Sequence, residues 1–331
     1  VNYGWEIFDY MTDARSSALG NSTIAYNYKL PGSTLINPSL GSDSQQYVSL
    51  SHQSRYGGFI NNDLLGFQID KFKKPLQINI LYQGVGKIPN TKSMLLDWGL
   101  DGQFGTNDIG EGNGVLDEGE RLDNSKLSFF SQQQIGFHSA FKMEIISIEF
   151  GVGFKLLSHF LDNHSAIGAG LDIGFINRIG QVDFAVVAKN IPASGLIWDD
   201  GEIEATNTKL SFGTHYLKRL EQLSIKLHFN SKIDFVFFEN KTNSVFTINN
   251  LKSYGSLSIE AIYDDRLFLR MGKNNIGSST GGIGLLWDQI SLDYAFLGPS
   301  LYGLDKNHHL ISINIKLSYL LNFLKKNNIN K

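Results

Sequence analysis

The sequence ISIEFGVGFKL at residues 146–156 alternates strictly between apolar residues and small or polar ones. Successive side chains of a β-strand point to opposite faces, so this segment presents one apolar and one polar face. At least a dozen segments between about residues 47 and 319 repeat the two-residue period. The pattern predicts a large closed antiparallel sheet with its apolar face outward, which is a membrane-spanning β-barrel.

Composition bounds the function classes. The 331 residues suffice for one large barrel or two ordinary domains. There is no Cys, which excludes disulfides and thiolate chemistry and suits an oxidising compartment. The net charge of −3 gives no overall basic surface for nucleic acid. The sequence contains no run of 18 apolar residues, so no membrane-spanning helix is predicted. The chain starts at Val1 without signal-peptide regions, and we interpret it as a mature form.

The strand-like segments define three parts of the chain. We expect an N-terminal segment at 1–46, a barrel at 47–319 and a tail at 320–331. In the first part, Asp13 is expected to cap a helical turn that Gly20 ends. The barrel part yields about 14 strands, and bacterial barrels have an even number. The segments are 47–54, 64–70, 76–83, 127–141, 146–156, 167–175, 182–189, 209–216, 223–229, 233–237, 254–262, 267–271, 283–287, 290–296 and 310–319.

A soluble β-sandwich or soluble barrel also alternates, with its apolar face inward. The face opposite the apolar one is rich in Gly, Ser, Gln and Asn, which suits a crowded polar lumen better than a charged soluble surface. Connections also alternate between short turns and long loops, the longest at 88–126, 191–207 and 297–309. Short turns on one rim and long loops on the other are usual in outer-membrane barrels.

Several motifs in order along the chain resemble one family. The stretches are TDARSSALGNSTIA at 12–25, INPSL at 36–40, FKLL at 154–157, GAGLDIG at 168–174, AKN at 188–190, ISLDYAF at 290–296 and HHLISI at 308–313. They resemble the PorV/PorQ family, a branch of the FadL-like outer-membrane barrels. The chain departs from the family pattern at Ser39, at Ile191-Pro192 and in the tail after residue 319.

The resemblance implies a FadL-like barrel of about 14 strands with its N-terminal segment in or beneath the lumen. It also implies a non-enzymatic protein of the bacterial outer membrane. Members of the family act in type IX secretion, where they receive or anchor secreted proteins. Related members are assigned to the transport of hydrophobic compounds.

An acidic, Gly-rich stretch at 97–123 is the sharpest local feature. Its eight acids and one base give −7, so the rest of the chain, from a total of −3, carries +4. Calcium prefers six to eight oxygen ligands, and Gly permits the tight backbone turns that supply them, although the spacing does not fit an EF-hand. The hypothesis is a calcium-ordered loop; the alternative is a solvated loop without an ion. Candidate ligands are Asp101, Asn107, Asp108, Glu111, Asn113, Asp117, Glu118 and Glu120.

Other polar and aromatic residues carry weaker predictions. His308 and His309 are adjacent on a strand and point to opposite faces, which disfavours shared metal binding. Asp199 and Asp200 are expected in a solvated turn. The lumen-facing histidines are His138, His215 and His228; they are expected to be solvated, and the alternative is that they cluster in the lumen. Candidates for an interfacial aromatic girdle, or else for loop packing, are Trp198, Trp287, Tyr294, Phe296 and Tyr302.

Three functions are compatible with these observations. The first is a protein-binding component of a type IX secretion system, whose partners are secretion proteins or cargo besides outer-membrane lipid. The alternative is FadL-like transport of small hydrophobic molecules, which an apolar lumen pocket near the N-terminal segment would favour. A polar lumen with a large apolar patch on the extracellular rim would favour the protein-binding role, and the mostly polar lumen-facing residues favour that role. The third is a structural barrel without passage. No catalytic motif appears, so an enzyme is not expected.

Overall fold

The computed structural model describes residues 5–10, 12–41, 46–70, 74–145, 148–192, 194–237, 244–299 and 307–329. Its helices are α1 (Ile7–Tyr10), α2 (Ala14–Ala18) and α3 (Leu317–Ile329), with short 3-10 turns at Pro31–Leu35, Tyr56–Gly58, Asn124–Lys126 and Glu221–Leu223. Its strands are β1 (Tyr47–Arg55), β2 (Ile60–Ile69), β3 (Leu76–Asn90), β4 (Leu95–Leu96), β5 (Arg121–Leu122), β6 (Ser128–Ile145), β7 (Ile148–Leu161), β8 (His164–Ile179), β9 (Val182–Lys189), β10 (Ser194–Trp198), β11 (Ile203–Thr206), β12 (Lys209–Leu220), β13 (Ile225–Phe237), β14 (Phe246–Ile248), β15 (Leu251–Tyr263), β16 (Leu267–Lys273), β17 (Ser279–Trp287), β18 (Ile290–Leu297) and β19 (His308–Lys316).

Fourteen of these strands form a closed antiparallel barrel. Each pairs with the next barrel strand along the chain, and β1 closes the sheet by pairing with β19. The barrel strands are β1–β3, β6–β9, β12, β13 and β15–β19. The short strands are not counted among these fourteen: β10 and β11 form a hairpin that extends the wall beyond β9 by pairing with β8, β14 pairs with β15, and β4 pairs with β5. The predicted fold and count of about 14 strands are confirmed.

Several strands are longer than predicted, and β3 runs to Asn90 rather than to residue 83; two further differences change the assignment of strands. The segments at 223–229 and 233–237 form the single strand β13, because its ladder continues through Asn230 and Ser231 where the apolar pattern is interrupted. The last strand ends at Lys316 rather than 319. Residues Leu317–Ile329 form α3, whose leucines at 317, 320, 321 and 324 have the spacing of one helical face. The barrel therefore ends three residues earlier than expected, and the tail is helical.

The two faces of each strand separate as the alternation predicts. On β7, Phe154 is 39% exposed, whereas the side chain of Lys155 is 2% exposed. The outside of the barrel carries exposed aliphatic and aromatic side chains on every side, and polar side chains are buried inside. A soluble barrel would bury those apolar side chains, so the soluble alternative is excluded.

The two rims differ in the length of their connections. One rim, the short-turn rim, carries the connections at 70–75, 146–147, 180–181, 221–224, 264–266 and 288–289. The opposite rim, the long-loop rim, carries those at 56–59, 91–127, 162–163, 190–208, 238–250, 274–278 and 298–307. Helix α3 leaves from the short-turn rim, since Lys316 pairs with Tyr47 there. Among the described residues, no helix is long and apolar enough to cross a membrane.

The N-terminal segment fills the lumen. Residues 12–41 are almost all buried, and α2 forms as predicted. Asp13 caps it by accepting a hydrogen bond from the backbone N of Ser16 at 2.9 Å, and Gly20 follows the helix at φ +60°. Wall glycines allow close approach: a side chain at Gly151 would collide with the backbone of Pro38. The segment is therefore packed against the inner wall.

Candidate functional site

Lumen-facing side chains form rows around the wall because the register of every ladder is fixed. Asn62, Gln83, Gln134 and His159 lie directly opposite one another on β2, β3, β6 and β7. We call these four residues the amide row. Two positions nearer the short-turn rim, the next row runs through Leu64, Leu81, Gly136, Leu157, Gly168 and Leu196. We call its four leucines the leucine row.

The leucine row and the start of the N-terminal segment form one apolar cluster. Trp5, Ile7 and Phe8, with Leu35, pack against the four leucines. The rings of Trp5 and Phe8 lie 5.4 Å apart. Both rings lie over wall glycines: a methyl group would come within 3.0 Å of Trp5 at Gly168 and within 3.2 Å of Phe8 at Gly136. An apolar layer therefore lies on the short-turn side of the amide row, and a second apolar cluster around Ile24, Ile36 and Val187 also lies in the lumen.

The amide row contains buried polar atoms that have no hydrogen-bond partner. They are Asn62 Oδ1, Gln134 Oε1 and His159 Nδ1, joined by Trp5 Nε1 from the apolar cluster. Such an atom costs about 1–3 kcal/mol when left without water or ligand. Gln83 and Gln132 are part-exposed, so this row borders the part of the lumen that opens toward the long-loop rim.

A buried ion-pair network holds α2 on the opposite wall. Arg15 Nη2 and Nε donate to Glu260 at 2.7 and 2.9 Å, and Arg270 Nε donates to the same carboxylate at 2.7 Å. Arg270 Nη1 also pairs with Asp293 at 2.7 Å, and the Tyr26 hydroxyl donates to Glu260 at 2.9 Å. The network ties the segment to β15, β16 and β18 by directional contacts.

A second set of charges lies on the short-turn side of the leucine row. Lys155 pairs with Asp172 at 2.7 Å and donates to Asn190 Oδ1 at 2.6 Å. Lys209 pairs with Asp9 of α1 at 2.7 Å. Except for the half-exposed Asp9, these charges are mostly buried, and each has an opposite or polar partner.

The lumen histidines are buried, not solvated as predicted. His138, His215 and His228 are 0%, 5% and 6% exposed. His215 Nε2 lies 2.9 Å from His228 Nδ1, and the Tyr26 ring stacks 4.5 Å from each imidazole. The prediction was wrong because the N-terminal segment occupies the space in which water was expected. Sequence alone did not place this segment against these side chains.

The acidic loop lies on the long-loop rim, and its carboxylates bond to its own backbone. Glu111 accepts from the backbone N of Gly105 and Asn107, and Asp108 accepts from the backbone N of Asp101 at 2.8 Å. In the same way, Asp101 accepts from the backbone N of Gln103, and Glu120 accepts from the backbone N of Gly99 and of Asp117. The side-chain amide of Asn113 donates to Asp117, and Glu118 is exposed. In the described part of the chain these acids do not bring three ligand atoms together. Calcium binding stays a prediction.

One possible metal group appears elsewhere on the long-loop rim. His164, Asp199 and Asp200 have ligand atoms within 4.8 Å of one another, and all three residues are exposed. The pKa of Asp199 is lowered, chiefly because the backbone N–H of Ser165 donates to its carboxylate. The hydrogen bonds of the Asp199 carboxylate with Ser165 and His164 stabilise the turn at the end of β10.

The predicted girdle and histidine pair have mixed outcomes. Trp287 is 80% exposed at a strand end, in agreement with a girdle, but Trp198 packs against the apolar cluster inside the lumen. Tyr294 bonds to His309 at 2.8 Å on the outer face, whereas His308 has the inward parity of buried Leu310. The two histidines therefore point to opposite faces, as predicted. The prediction for Tyr302 lies outside the described residues.

Sequence reasoning missed the leucine row, although a signal existed. Each of its leucines adjoins an outward apolar residue, so the alternation contains apolar doublets or triplets. Examples are Leu64-Leu65, Ile80-Leu81 and Leu156-Leu157. A leucine at a lumen-facing position interrupts the two-residue alternation, and such an interruption marks a place where the inner wall is apolar.

Comparison with known proteins identifies the fold. No family model matches the chain, and no curated protein matches it. Among solved structures, the Pseudomonas putida toluene transporter TodX aligns over 93% of this chain and 98% of its own, with 12% identity and a TM-score of 0.50. This chain has the fold of the FadL-like outer-membrane barrels.

Two further structures align more loosely. The TodX monoaromatic hydrocarbon channel deltaS2 mutant covers 94% of this chain and 98% of its own, with 11% identity and a TM-score of 0.45. CdiB from Acinetobacter baumannii covers 83% of this chain and 60% of its own, with 10% identity and a TM-score of 0.40. The similarity to TodX, at 12% identity, establishes the fold alone.

Proposed function

We propose that this protein is an outer-membrane barrel that passes small hydrophobic molecules through its lumen, with the long-loop rim facing the cell exterior. The observation that carries the proposal is the apolar layer formed by the leucine row with Trp5, Ile7 and Phe8. The FadL-like fold supports the same function.

The physical basis of passage is an exchange of apolar contacts. A hydrophobic solute that displaces the Phe8 ring replaces one apolar contact with the leucine row by another. An ion in the same place would lose its hydration without compensation, so the layer excludes it. Displacement requires α1 to move, and this helix has only four residues.

A reversible block of α1 tests the proposal. Because the chain lacks Cys, the pair Phe8→Cys and Gly136→Cys introduces the only two thiols. We expect a short bismaleimide that links them to abolish naphthalene flux into vesicles with a lipopolysaccharide outer leaflet. The same double variant without cross-linker is the control and should conduct. Equal flux with and without the cross-link would contradict passage past α1.

A second candidate is the protein-binding role in type IX secretion. The acidic loop exposes Leu100, Phe104, Ile109 and Val115, at 68%, 81%, 84% and 59% exposure. Such apolar side chains outside the membrane-facing band favour a protein contact. Affinity purification from native membranes tests this role. Secretion components or cargo should co-purify with the unaltered chain and be lost with a Phe104→Ser, Ile109→Ser variant; equal recovery would argue against it.

We also propose that calcium orders the acidic loop. Its support is the density of carboxylates, Asn side chains and Gly residues between 97 and 123. Calcium titration should then slow proteolysis within the loop, and a Glu111→Gln, Asp117→Asn variant should lose that protection. Magnesium is the matched control ion. A cleavage rate that is independent of calcium would refute the idea.

A further inference from the structure

The atoms without partners around the amide row are of two kinds. Gln132 Nε2 lies 3.0 Å from His159 Nε2. The amide nitrogen donates, so His159 Nε2 accepts, and this hydrogen bond assigns the proton of the neutral ring to Nδ1. His159 Nδ1 and Trp5 Nε1 are therefore unused donors, whereas Gln134 Oε1 and Asn62 Oδ1 are unused acceptors.

Two of these groups are neighbours on the wall, and Trp5 lies in the apolar cluster that borders them. Gln134 and His159 are directly opposite each other on β6 and β7, a pairing that places their Cβ atoms about 5 Å apart. His159 in turn faces Ala166 on β8, and Ala166 belongs to the same apolar cluster as Trp5. All four side chains are at most 5% exposed, so their unused atoms are not satisfied by bulk water.

The surroundings define the charge of a complementary ligand. The amide row and the leucine row contain no carboxylate and no amine. The nearest amine along β7, Lys155, is already paired with Asp172 and Asn190. An ionised ligand group placed here would lose its hydration without gaining an opposite charge. A hydroxyl group suits the site because it both donates and accepts.

We propose that the lumen selects neutral hydrophobic molecules that carry one hydroxyl group, such as phenols and alcohols. The apolar body contacts the leucine row, while the hydroxyl oxygen accepts from both His159 Nδ1 and Trp5 Nε1 and the hydroxyl donates to Gln134 Oε1. This inference rests on the proposed passage of hydrophobic molecules and specifies their chemistry. These neutral hydrogen bonds together correspond to a preference of about tenfold over the same molecule without the hydroxyl.

Equilibrium dialysis tests the preference with the full chain in lipid nanodiscs. The probes are 2-naphthol, naphthalene and 2-naphthoate, each corrected for uptake by empty nanodiscs. We expect 2-naphthol to bind about tenfold more tightly than naphthalene, and 2-naphthoate to bind most weakly. Equal binding of 2-naphthol and naphthalene overturns this inference but leaves the proposed passage intact. Absence of binding by all three overturns both.

Paired variants locate the selectivity. Gln134→Leu removes the acceptor, and with it one of the hydrogen bonds, and should reduce the ratio of the two affinities from about ten to about three to five. Gln133→Leu, one residue away on the exposed outer face, is the matched control and should keep the ratio. Trp5→Phe removes only a donor from the N-terminal segment and should lower the ratio even if Gln134→Leu fails to fold, with Trp287→Phe as its control. A ratio that persists in both Gln134→Leu and Trp5→Phe overturns the assignment.

Discussion

The two ends of the N-terminal segment are held in different ways. Around α1, Trp5 and Phe8 contact the leucine row through apolar surfaces. Around α2, Arg15 shares the buried Glu260 carboxylate with Arg270 in a largely buried network. The half-exposed Asp9 of α1 pairs with Lys209, and the α1 end is otherwise held mainly by apolar contact. The α2 end, in contrast, is held by several short charged hydrogen bonds to a buried carboxylate.

The difference indicates which end is able to move. Apolar contact is non-directional and can be exchanged for contact with another apolar molecule at little cost. A buried charge that loses its partner costs several kcal/mol. We therefore expect the α1 end to open for a solute while the α2 end anchors the segment.

The largest expected effect comes from the anchor. Glu260→Gln leaves the guanidinium groups of Arg15 and Arg270 without their shared carboxylate, and Asp293 compensates only one of them. We expect the free energy of unfolding to fall by about 3–5 kcal/mol, because breaking a buried pair leaves an uncompensated charge. Urea unfolding of the barrel in lipid vesicles, followed by Trp fluorescence, measures it.

A matched carboxylate provides the control for Glu260→Gln. Glu149 lies 3.5 Å from Lys142 and its side chain is 39% exposed. Glu149→Gln should change stability by less than about 1 kcal/mol, as is usual for exposed pairs. Similar losses for the two variants would show that the buried network is not a special anchor.

The next effect concerns the apolar layer. Leu157 is 3% exposed and belongs to the leucine row. Leu157→Ala should destabilise the barrel by about 3 kcal/mol because it leaves a cavity in the layer. Leu156→Ala, on the 43% exposed outer face, should cost less since lipid chains close over the missing atoms. Equal losses at the two positions in the same urea assay would argue against a packed layer.

A smaller effect separates the anchor from the barrel wall. Arg15→Met removes the link to the segment but leaves Glu260 paired with Arg270 on β16. We expect a loss of about 2 kcal/mol, the scale of charged hydrogen bonds, together with faster proteolysis of the N-terminal segment. Lys29→Met, at an exposed position of the same segment, is the control. Unchanged proteolysis in Arg15→Met would show that the segment is held elsewhere.

The smallest perturbation compares the two ends directly. In the Cys-free chain, Ile7→Cys and Ser17→Cys each place one thiol at a site that is now at most 2% exposed. If the α1 end opens more often, a maleimide added from outside should label Ile7→Cys at least about ten times faster, corresponding to about 1.4 kcal/mol in opening free energy. Equal rates would remove the distinction between the ends.

The wall was largely predictable and the site was not. Alternation such as that at 146–156 depends only on neighbouring residues, so strand faces, the approximate strand count and the α2 cap at Asp13 could be predicted. The leucine row was not predicted because Leu157 lies next to Leu156, and a simple period of two does not determine which leucine of such a pair faces the lumen. The histidines were predicted on the correct face but in the wrong environment, because the residues next to them in the sequence do not indicate what fills the lumen.

The sequence by itself determined which face of each strand is apolar, that the loops are longer on one rim, and where the acidic loop falls. Those properties follow from local period and composition. Only the tertiary structure decided which side chains meet. Gln134 lies opposite His159, and Arg15 reaches Glu260 across 245 positions of the chain. The register of the ladders and the closure of the barrel determine these contacts, because they fix the position of each residue along the barrel axis. Alternation alone does not define that position.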